Sequence, residues 1–269
     1  MTKNKVYIAS SQLEYIVFNK ESSKYLLCFH GFGQSANDFE KLAKAYTDYK
    51  IVGVNLFFHE ESYLRPKRLV HPKFLKEFLA QLIEKELPEK FSLMGYSMGG
   101  RFALTTLKLF PEKIDTIYLL APDGLVEGNW FRFATGSYIQ RTIFKGAFSS
   151  YPTFISVATR FSKVGILNKG LLKFAEIHLK NEEERNRVYD SWTNFRKLKL
   201  SPYEFHYLIS KYKVKSSVVL GMYDKVIPAK RIVSKLIESP MLKIYHVPIT
   251  HNKLFYYNFL DQKKNSSIN

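Results

Sequence analysis

The six residues from Gly95 to Gly100 have the types and spacing of a nucleophilic site. The run Gly-Tyr-Ser-Met-Gly-Gly follows the apolar segment 91–94 and precedes a segment of helical periodicity. A serine on a sharp strand-to-helix turn exposes its hydroxyl, and glycines two positions before and after it leave room where a Cβ would clash. The pattern predicts that Ser97 is a nucleophile, although an ordinary glycine-rich turn is the alternative.

A serine hydroxyl needs a histidine base, and the base needs a carboxylate that orients it. Asp224 follows the apolar segment Ser216–Gly221, and His251 follows the segment Lys243–Val247. Both lie just beyond a predicted strand, where the sites of open α/β sheets gather. We therefore predict Asp224 as the acid and His251 as the base.

Three other residues compete for these roles. Asp123 also follows a predicted strand and is an alternative acid. His59 is an alternative second base. His246 lies inside a strand pattern, so we expect it to be a structural histidine that faces a helix or the sheet interior.

Acyl chemistry also requires donors for a developing oxyanion, and backbone N–H groups in a turn are the usual source. His30-Gly31-Phe32-Gly33 follows an apolar strand-like segment, where such a turn belongs. We predict the N–H groups of Phe32 and Met98 as the oxyanion hole, with His30 and Gly31 shaping the turn. A plain glycine-rich loop is the alternative.

The elements that must position these residues alternate between short apolar runs and helix-period segments, which is typical of parallel βαβ units. We predict an α/β fold in which the first two strands pair as a hairpin. The predicted strands are Lys5–Ile8, Glu14–Asn19, Tyr25–His30, Ile51–Leu56, Phe91–Tyr96, Thr116–Ala121, Ser216–Gly221 and Lys243–Val247. The predicted helices are Ala36–Tyr46, Pro72–Glu86, Met98–Phe110, Ala229–Ile237 and Phe255–Leu260.

One interval, 122–213, lacks a convincing buried strand, and we predict it as an inserted helical cap on a core formed by 1–121 and 214–269. Its aromatic residues could line an apolar pocket or form the core of the cap itself. Basic residues lie among them, so contact with an anionic lipid surface is a further hypothesis, which we disfavour. The aromatic residues are Trp130, Phe131, Phe133, Tyr138, Phe144, Phe148, Tyr151, Phe154 and Phe161.

Charge and composition exclude several classes of protein. The 269 residues carry 41 Lys and Arg against 24 Asp and Glu, a net charge of +17. The excess is diffuse, no nucleic-acid-binding motif accompanies it, and we predict a solvated basic surface without nucleic-acid binding. No segment approaches a membrane span, and the single cysteine, Cys28, fits a reducing compartment. We expect a cytoplasmic protein.

The ordered set of His30-Gly31-Phe32, Gly95-x-Ser97-x-Gly99, Asp224 and His251 resembles the α/β-hydrolase superfamily over nearly the whole chain. The resemblance implies an eight-stranded, mostly parallel sheet flanked by helices, with a helical cap after the sixth strand. It also implies a small-molecule substrate and no cofactor or metal.

The nucleophile narrows the activity that the resemblance implies. A serine at position 97 argues against dehalogenases and epoxide hydrolases, whose nucleophile is an aspartate. The leading prediction is a serine hydrolase, carboxylesterase-like, that cleaves an ester or thioester of a small to medium acyl substrate through an acyl-enzyme on Ser97.

The elbow also resembles that of the SHCHC synthases of the menaquinone pathway, because Arg101 follows the serine by four residues. This resemblance implies an alternative function, a lyase or C–C hydrolase that holds an anionic substrate with Arg101. Tyr96 and His30 are further candidates for substrate binding. A helix-surface position is the alternative for Arg101.

The chain departs from the family pattern at 54–62, where relatives commonly carry Asp-x-x-Gly-His-Gly-x-Ser. Asn55 stands in place of the aspartate, and both glycines are missing. We expect Phe57, Phe58 and His59 to fill space near the mouth of the site. A binding module without catalysis is a third hypothesis that this departure leaves open.

Overall fold

The computed structural model describes residues 1–165, 172, 176 and 179–260. Eight strands form one sheet, as predicted, and each overlaps a predicted strand. They are β1 (Thr2–Ile8), β2 (Ser11–Phe18), β3 (Lys24–Phe29), β4 (Tyr49–Val54), β5 (Phe91–Tyr96), β6 (Ile114–Leu120), β7 (Lys215–Gly221) and β8 (Leu242–Val247).

The sheet has the strand order β1-β2-β4-β3-β5-β6-β7-β8. β1 and β2 form the predicted hairpin, with Ile8 opposite Ser11, and β2 is antiparallel to β4. The strands from β4 to β8 in this order are mutually parallel. Their carboxyl ends therefore lie at one edge of the sheet, and the loops that follow β3, β5, β7 and β8 meet there. This arrangement confirms the predicted fold class.

Helices flank the sheet and fill the interval between β6 and β7. Short 3-10 helices cover Ala36–Phe39 and Pro111–Lys113. The described α-helices are α1 (Glu40–Ala45), α2 (Pro72–Glu86), α3 (Gly99–Leu109), α4 (Asn129–Thr135), α5 (Tyr138–Ser149), α6 (Tyr151–Lys163), α7 (Glu182–Phe195), α8 (Pro202–Lys211), α9 (Ala229–Val233) and α10 (His251–Leu254).

The C-terminal helix prediction, Phe255–Leu260, is wrong. The helix there is α10, which begins at the predicted base, and turns follow it. Phe255 and Phe259 are buried in these turns, where their rings pack on Phe39 and Tyr118. Tertiary packing of the aromatic side chains has overridden the helical spacing of the sequence.

The main hydrophobic core lies on both faces of the sheet. β3 and β5 are central strands, and the last four residues of β3 and all six of β5 are buried. α3 is almost entirely buried because it packs directly on β3, β5 and β6. The helix that follows the predicted nucleophile is therefore one of the most enclosed elements of the protein.

A second, smaller core lies among α4 to α7. Phe32, from the loop after β3, packs against both cores. α7 ends in the main core at Phe195, and α8 contributes Phe205 and Ile209 to it. The buried members of the second core are Ala134, Phe144, Phe154, Ala158, Leu179 and Val188.

Some aromatic side chains of the predicted cap form its own core, and others line a pocket, so both expectations apply. Phe144 and Phe154 belong to the second core, whereas Phe131 lines a cavity that Ser97 also lines. The side chains of Trp130 and Phe148 lie outside the described residues. Over the described part of the chain, no helix has the length and apolar character needed to cross a membrane.

Candidate active site

Ser97 occupies the tight turn between β5 and α3. Its φ of 50° is in the left-handed region, where a side chain strains the backbone. Three backbone hydrogen bonds hold the turn: Ser97 N–H donates to the carbonyl of Leu120 (2.9 Å), and its own carbonyl accepts from Gly100 (2.8 Å) and Asp123 (2.9 Å). The end of β6 and the loop after it thus support the elbow.

The two flanking glycines allow α3 to start so close to the sheet. A Cβ on Gly99 would lie 2.1 Å from the carbonyl oxygen of Phe29, and one on Gly95 would lie 2.7 Å from the Cβ of Ala103. Both distances are too short for real atoms. The sequence argument for glycines two positions either side of the serine therefore applies to this turn.

Asp224 lies in the turn after β7, with its side chain buried. Its Oδ1 accepts hydrogen bonds from the backbone N–H groups of Val226 and Ile227, each at 2.8 Å. These bonds fix the carboxylate and leave Oδ2 directed at His251, 2.6 Å from Nδ1.

His251 is the first residue of α10 and connects the acid to the serine. Because a carboxylate only accepts, Nδ1 carries the proton and Nε2 is free to accept. Nε2 lies 3.0 Å from Ser97 Oγ. The structure therefore brings Ser97, His251 and Asp224 into one hydrogen-bonded chain, in the geometry of a nucleophile, a base and an orienting acid.

Tyr96 holds the backbone of His251 through a hydrogen bond. Its hydroxyl donates to the backbone carbonyl of His251 at 3.0 Å, and the two rings lie 5.3 Å apart. Burial raises the pKa of Tyr96 well above its ordinary value, so the hydroxyl keeps its proton. Tyr96 also lines the cavity described below, as a substrate-binding candidate should.

His30 shapes the turn after β3 from a fully buried position. Its Nε2 accepts from Leu56 N–H at 3.1 Å, so Nδ1 carries the proton and donates to the Gly31 carbonyl at 2.7 Å. Burial lowers its pKa to about 4. His30 does not line the cavity, and its contacts support the predicted role in shaping the turn rather than contact with substrate.

His59 lies behind this turn rather than beside the serine. Its ring packs edge-on against the rings of His30 and Phe32, at 5.1 and 5.7 Å, and burial lowers its pKa to about 3. Phe57 is fully buried against α2, and Phe58 stacks on Phe195. These side chains pack into the core instead of lining the mouth of the cavity.

Arg101 does not reach the cavity. Its side chain is 1% exposed, so the alternative of a helix-surface arginine is also wrong. The guanidinium forms a two-pronged ion pair with Asp123, at 2.7 and 3.1 Å, and contacts Glu127 at 3.4 Å and the Leu198 carbonyl at 3.2 Å. The guanidinium also lies over the ring of Phe131, with its carbon 4.0 Å from the ring centroid.

These contacts also show that Asp123, the alternative acid, pairs with an arginine and not with the histidine. Asp123 binds Arg101, whereas Asp224 binds His251. His246, the competing histidine, is exposed on β8, so the expectation that it faces a helix or the sheet interior is wrong. β8 is an edge strand, and a side chain there can remain in solvent.

A cavity of about 660 Å³ opens above Ser97 and His251. This volume is within the range of sites for small molecules. Phe32 and Met98, the predicted oxyanion donors, line it beside Ser97. Residues of the interval between β6 and β7, including Phe131 and Trp192, also line it.

Two residues of the site escaped the sequence argument. Gln34 accepts a hydrogen bond from Gly31 N–H at 3.0 Å and so helps to hold the predicted oxyanion turn. Arg231, on α9, lines the cavity. Gln34 directly follows the predicted turn His30–Gly33, and this position was a signal for it. Arg231 lies in no motif, and only the fold brings it to the cavity. In the described ranges, no group of three or more His, Cys, Asp or Glu side chains could hold a metal ion.

A protein-family model described as "alpha/beta hydrolase fold" matches residues 24–240, most of the chain. The chain therefore belongs to the alpha/beta hydrolase fold family. This membership agrees with the resemblance on which the sequence analysis rests, and it supports a hydrolase that acts on a small molecule.

Individual relatives by sequence are distant. The chain is 28% identical over 100 residues to a protein of Bacillus subtilis (strain 168) that carries the provisional name 2-succinyl-6-hydroxy-2,4-cyclohexadiene-1-carboxylate synthase. That match covers 36% of this chain and 36% of the relative. The chain thus spans only about a third of the length of the curated relatives it matches.

Solved structures match over almost the full length. A thermophilic esterase from Thermogutta terrifontis has a TM-score of 0.67 at 15% identity and covers 98% of this chain and 97% of its own. A serine hydrolase from Cycloclasticus zankles, a bacterium that degrades polyaromatic hydrocarbons, has a TM-score of 0.64 at 14% identity and covers 98% and 96%. At these identities the likeness shows the shared fold.

Proposed function

We propose that this protein is a serine hydrolase that cleaves a carboxylic ester or thioester of a small to medium acyl substrate. The observation that carries the proposal is the hydrogen-bonded chain from Ser97 Oγ through His251 to Asp224. Family membership supports a hydrolase, and the cavity above the serine supplies space for the substrate.

In the first half-reaction Ser97 Oγ attacks the carbonyl carbon while His251 Nε2 takes the hydroxyl proton. The imidazolium that forms is stabilised by Asp224, whose carboxylate stays ionised. The tetrahedral intermediate then collapses, the bond to the leaving oxygen or sulfur breaks, and His251 returns the proton to the leaving group. The acyl group remains on Ser97 as an ester.

The negative charge of the intermediate needs fixed donors. We assign this role to the backbone N–H groups of Phe32 and Met98, which belong to the two turns beside Ser97. His30 and Gln34 hold the first of these turns through their contacts with Gly31. A preformed hole of this kind requires no reorganisation when the charge develops.

In the second half-reaction a water molecule attacks the acyl-enzyme, again with His251 as base. Its hydroxyl joins the acyl carbon, the bond to Ser97 breaks, and the serine recovers its proton from His251. The products are a carboxylic acid and an alcohol or thiol. The chain's own groups supply every proton transfer.

The alternative function, a lyase or C–C hydrolase like the SHCHC synthases, uses the same three residues. The short match to the Bacillus subtilis protein and the arginine four residues after the serine favour it. It requires Arg101 to bind an anionic substrate, yet the Arg101 guanidinium is enclosed and already bound by Asp123 and Glu127. Ester or thioester hydrolysis is therefore our primary proposal.

We further propose that the interval 122–213 acts as a cap over the site. The cavity walls support this role because Phe131 and Trp192 line the same cavity as Ser97 and Met98. We propose that this part of the chain, which has a small core of its own, moves as a unit relative to the sheet.

The test is hydrolysis of a p-nitrophenyl ester series from acetate to palmitate by the wild type, Ser97→Ala and Ser22→Ala. Ser22 is a partly exposed serine that does not line the cavity, and it serves as a matched control. We expect activity in the wild type and the control, a loss of several orders of magnitude in Ser97→Ala, and a chain-length optimum that reports the acyl pocket.

Labelling with a fluorophosphonate separates the outcomes. Ser97-dependent labelling with no hydrolysis of any ester would move the lyase alternative to the front. A serine that neither labels nor supports turnover would overturn both enzymatic proposals and favour the binding module.

A further inference from the structure

Arg231 is a cationic side chain in the wall of the cavity, and the proposed mechanism gives it no role. It lies seven positions after Asp224 on the short helix α9, and its side chain lines the same cavity as Ser97 and His251. Its Nε is buried and has no hydrogen-bond partner among the described residues. No carboxylate of the described residues lies within ion-pair distance of its guanidinium.

The acidic residues of the cavity wall are already engaged. Asp123 binds Arg101 at 2.7 Å, and Glu127 binds Arg101 at 3.4 Å and Lys199 at 3.0 Å. Asp123 and Asp224 attract Arg231 without forming an ion pair with it. The two arginines therefore differ in their partners. Arg101 binds Asp123 and Glu127, whereas the Nε of Arg231 has no hydrogen-bond partner among the described residues.

Leaving the buried N–H group of Arg231 without a hydrogen bond costs free energy. Partial burial lowers the pKa of Arg231 from its ordinary value, because part of its guanidinium is withdrawn from water. A buried donor without a partner costs free energy, and an arriving anion removes that cost. Arg132 and Lys235, two exposed cations that also line the cavity, make the surrounding potential more positive.

We infer that Arg231 binds a carboxylate carried by the substrate in addition to the ester or thioester bond that is cleaved. A planar guanidinium pairs with a carboxylate through two parallel hydrogen bonds. A doubly charged phosphate fits less well, because Asp123 and Glu127 lie in the same wall. This inference names a substrate class for the proposed Ser97-dependent hydrolysis and rests on that function.

The test compares esters that differ only in one charge. Mono-p-nitrophenyl glutarate and adipate carry the carboxylate in the acyl part, and their neutral partners are p-nitrophenyl valerate and hexanoate. 4-Carboxyphenyl butyrate carries it in the alcohol part, and its neutral partner is 4-carbamoylphenyl butyrate. The measured quantity is the ratio of kcat/KM for the charged ester to kcat/KM for its neutral partner.

The variants are Arg231→Gln, Arg231→Lys and Lys230→Gln. Lys230 is the exposed neighbour of Arg231 on α9 and does not line the cavity, so its variant controls for net charge and for the helix. We expect one of the two ester types to show a ratio above 1 in the wild type. Arg231→Gln should lower that ratio about 10- to 100-fold, as expected for a charge-assisted hydrogen bond.

The two other variants separate the causes. Arg231→Lys keeps the charge without the planar fork and should retain part of the preference, while Lys230→Gln should change the ratio by less than about twofold. The loss in Arg231→Gln should appear mainly in KM, because the carboxylate contact is equal in ground state and transition state. A thermal melt of each variant checks that it is folded.

Failure of the inference and failure of the proposed function have different results. Hydrolysis of neutral esters that disappears in Ser97→Ala, with equal rates for charged and neutral partners in both ester types, would overturn the carboxylate site alone. If the wild type hydrolyses no ester, the proposed function fails. Calorimetric binding of free glutarate and adipate then decides the site, which stands if Arg231→Gln loses the binding and falls if it does not.

Discussion

The part of the chain that carries the sheet and the part formed by α4 to α7 differ in how they are held together. The sheet region has a continuous core in which central strands and α3 are almost fully buried. Among its described residues, the helical region has six buried side chains in its own core. It also leaves Tyr138, Ile139 and Ile143 more than half exposed on α5.

This difference matches the roles proposed for the two regions, catalysis for the sheet region and a cavity wall for the helical region. Ser97, Asp224 and His251 all belong to the sheet region, where packing fixes their geometry. The helical region contributes Phe131 and Trp192 to the cavity wall and none of the proposed catalytic groups. Regions with few buried contacts open at low free energy, so the cap proposal predicts that substrate enters through the helical side.

The largest expected effect concerns the orientation of the base. Asp224→Asn keeps an oxygen for the Val226 and Ile227 N–H groups but presents an amide donor to His251 Nδ1. The proton then moves to Nε2, which can no longer accept from Ser97. We expect kcat to fall about 10⁴-fold while the melting temperature stays within a few degrees. A drop of less than tenfold would remove Asp224 from the mechanism.

The next effect compares the two cores directly. Phe102 packs edge-on against Phe195 at 4.9 Å in the sheet core, and Phe154 lies in the helical core. Phe102→Ala should lower the free energy of unfolding by about 3–5 kcal/mol. Phe154→Ala should shift the main urea transition by less than about 2 kcal/mol, because its core opens locally, and should raise KM. Equal shifts would mean that the two regions unfold as one unit.

A pH effect is expected in the sheet region. The pKa of His30 is about 4 in the folded protein and about 6.5 in an unfolded chain. The unfolded chain therefore binds more protons below pH 6.5, and the stabilisation present above that pH is lost as the pH falls toward 4. Between pH 7 and pH 5 this loss is about 2 kcal/mol from His30, and His59 acts in the same direction.

Urea unfolding at the two pH values checks this expectation. His30→Gln should flatten the dependence by about 2 kcal/mol, even though the variant is less stable at pH 7. The exposed His246→Gln variant is the matched control and should leave the dependence unchanged. A His30 variant with the slope of the wild type would contradict a neutral buried imidazole.

The smallest effect concerns the exposed face of α5. Ile139→Ser and Ile143→Ser remove large apolar side chains that are 70% and 57% exposed. Each should change the free energy of unfolding by less than about 0.5 kcal/mol, and the pair should leave ester hydrolysis unchanged. A clear loss of stability would show that this face is covered by something else in solution.

Local sequence was sufficient wherever a residue's role depends on its neighbours along the chain. The eight strands follow from short apolar runs, and the elbow follows from a serine between two glycines. Where a role depends on distant partners, the sequence argument was weaker. The edge position of His246 and the turns after α10 depend on which strand lies outermost and which aromatic side chains are buried together.

Arg101 and Arg231 show most clearly which properties depend on distant partners. The sequence by itself determined the fold class and the order of a serine, an acid and a histidine beyond strand ends, because hydrophobic periodicity and turn chemistry are local properties. Only the tertiary structure decided that Arg101 is buried between Asp123 and Glu127, while Arg231 lines the cavity and its Nε has no hydrogen-bond partner among the described residues. The charge that a side chain meets is set by elements far away in sequence, and no local pattern encodes it.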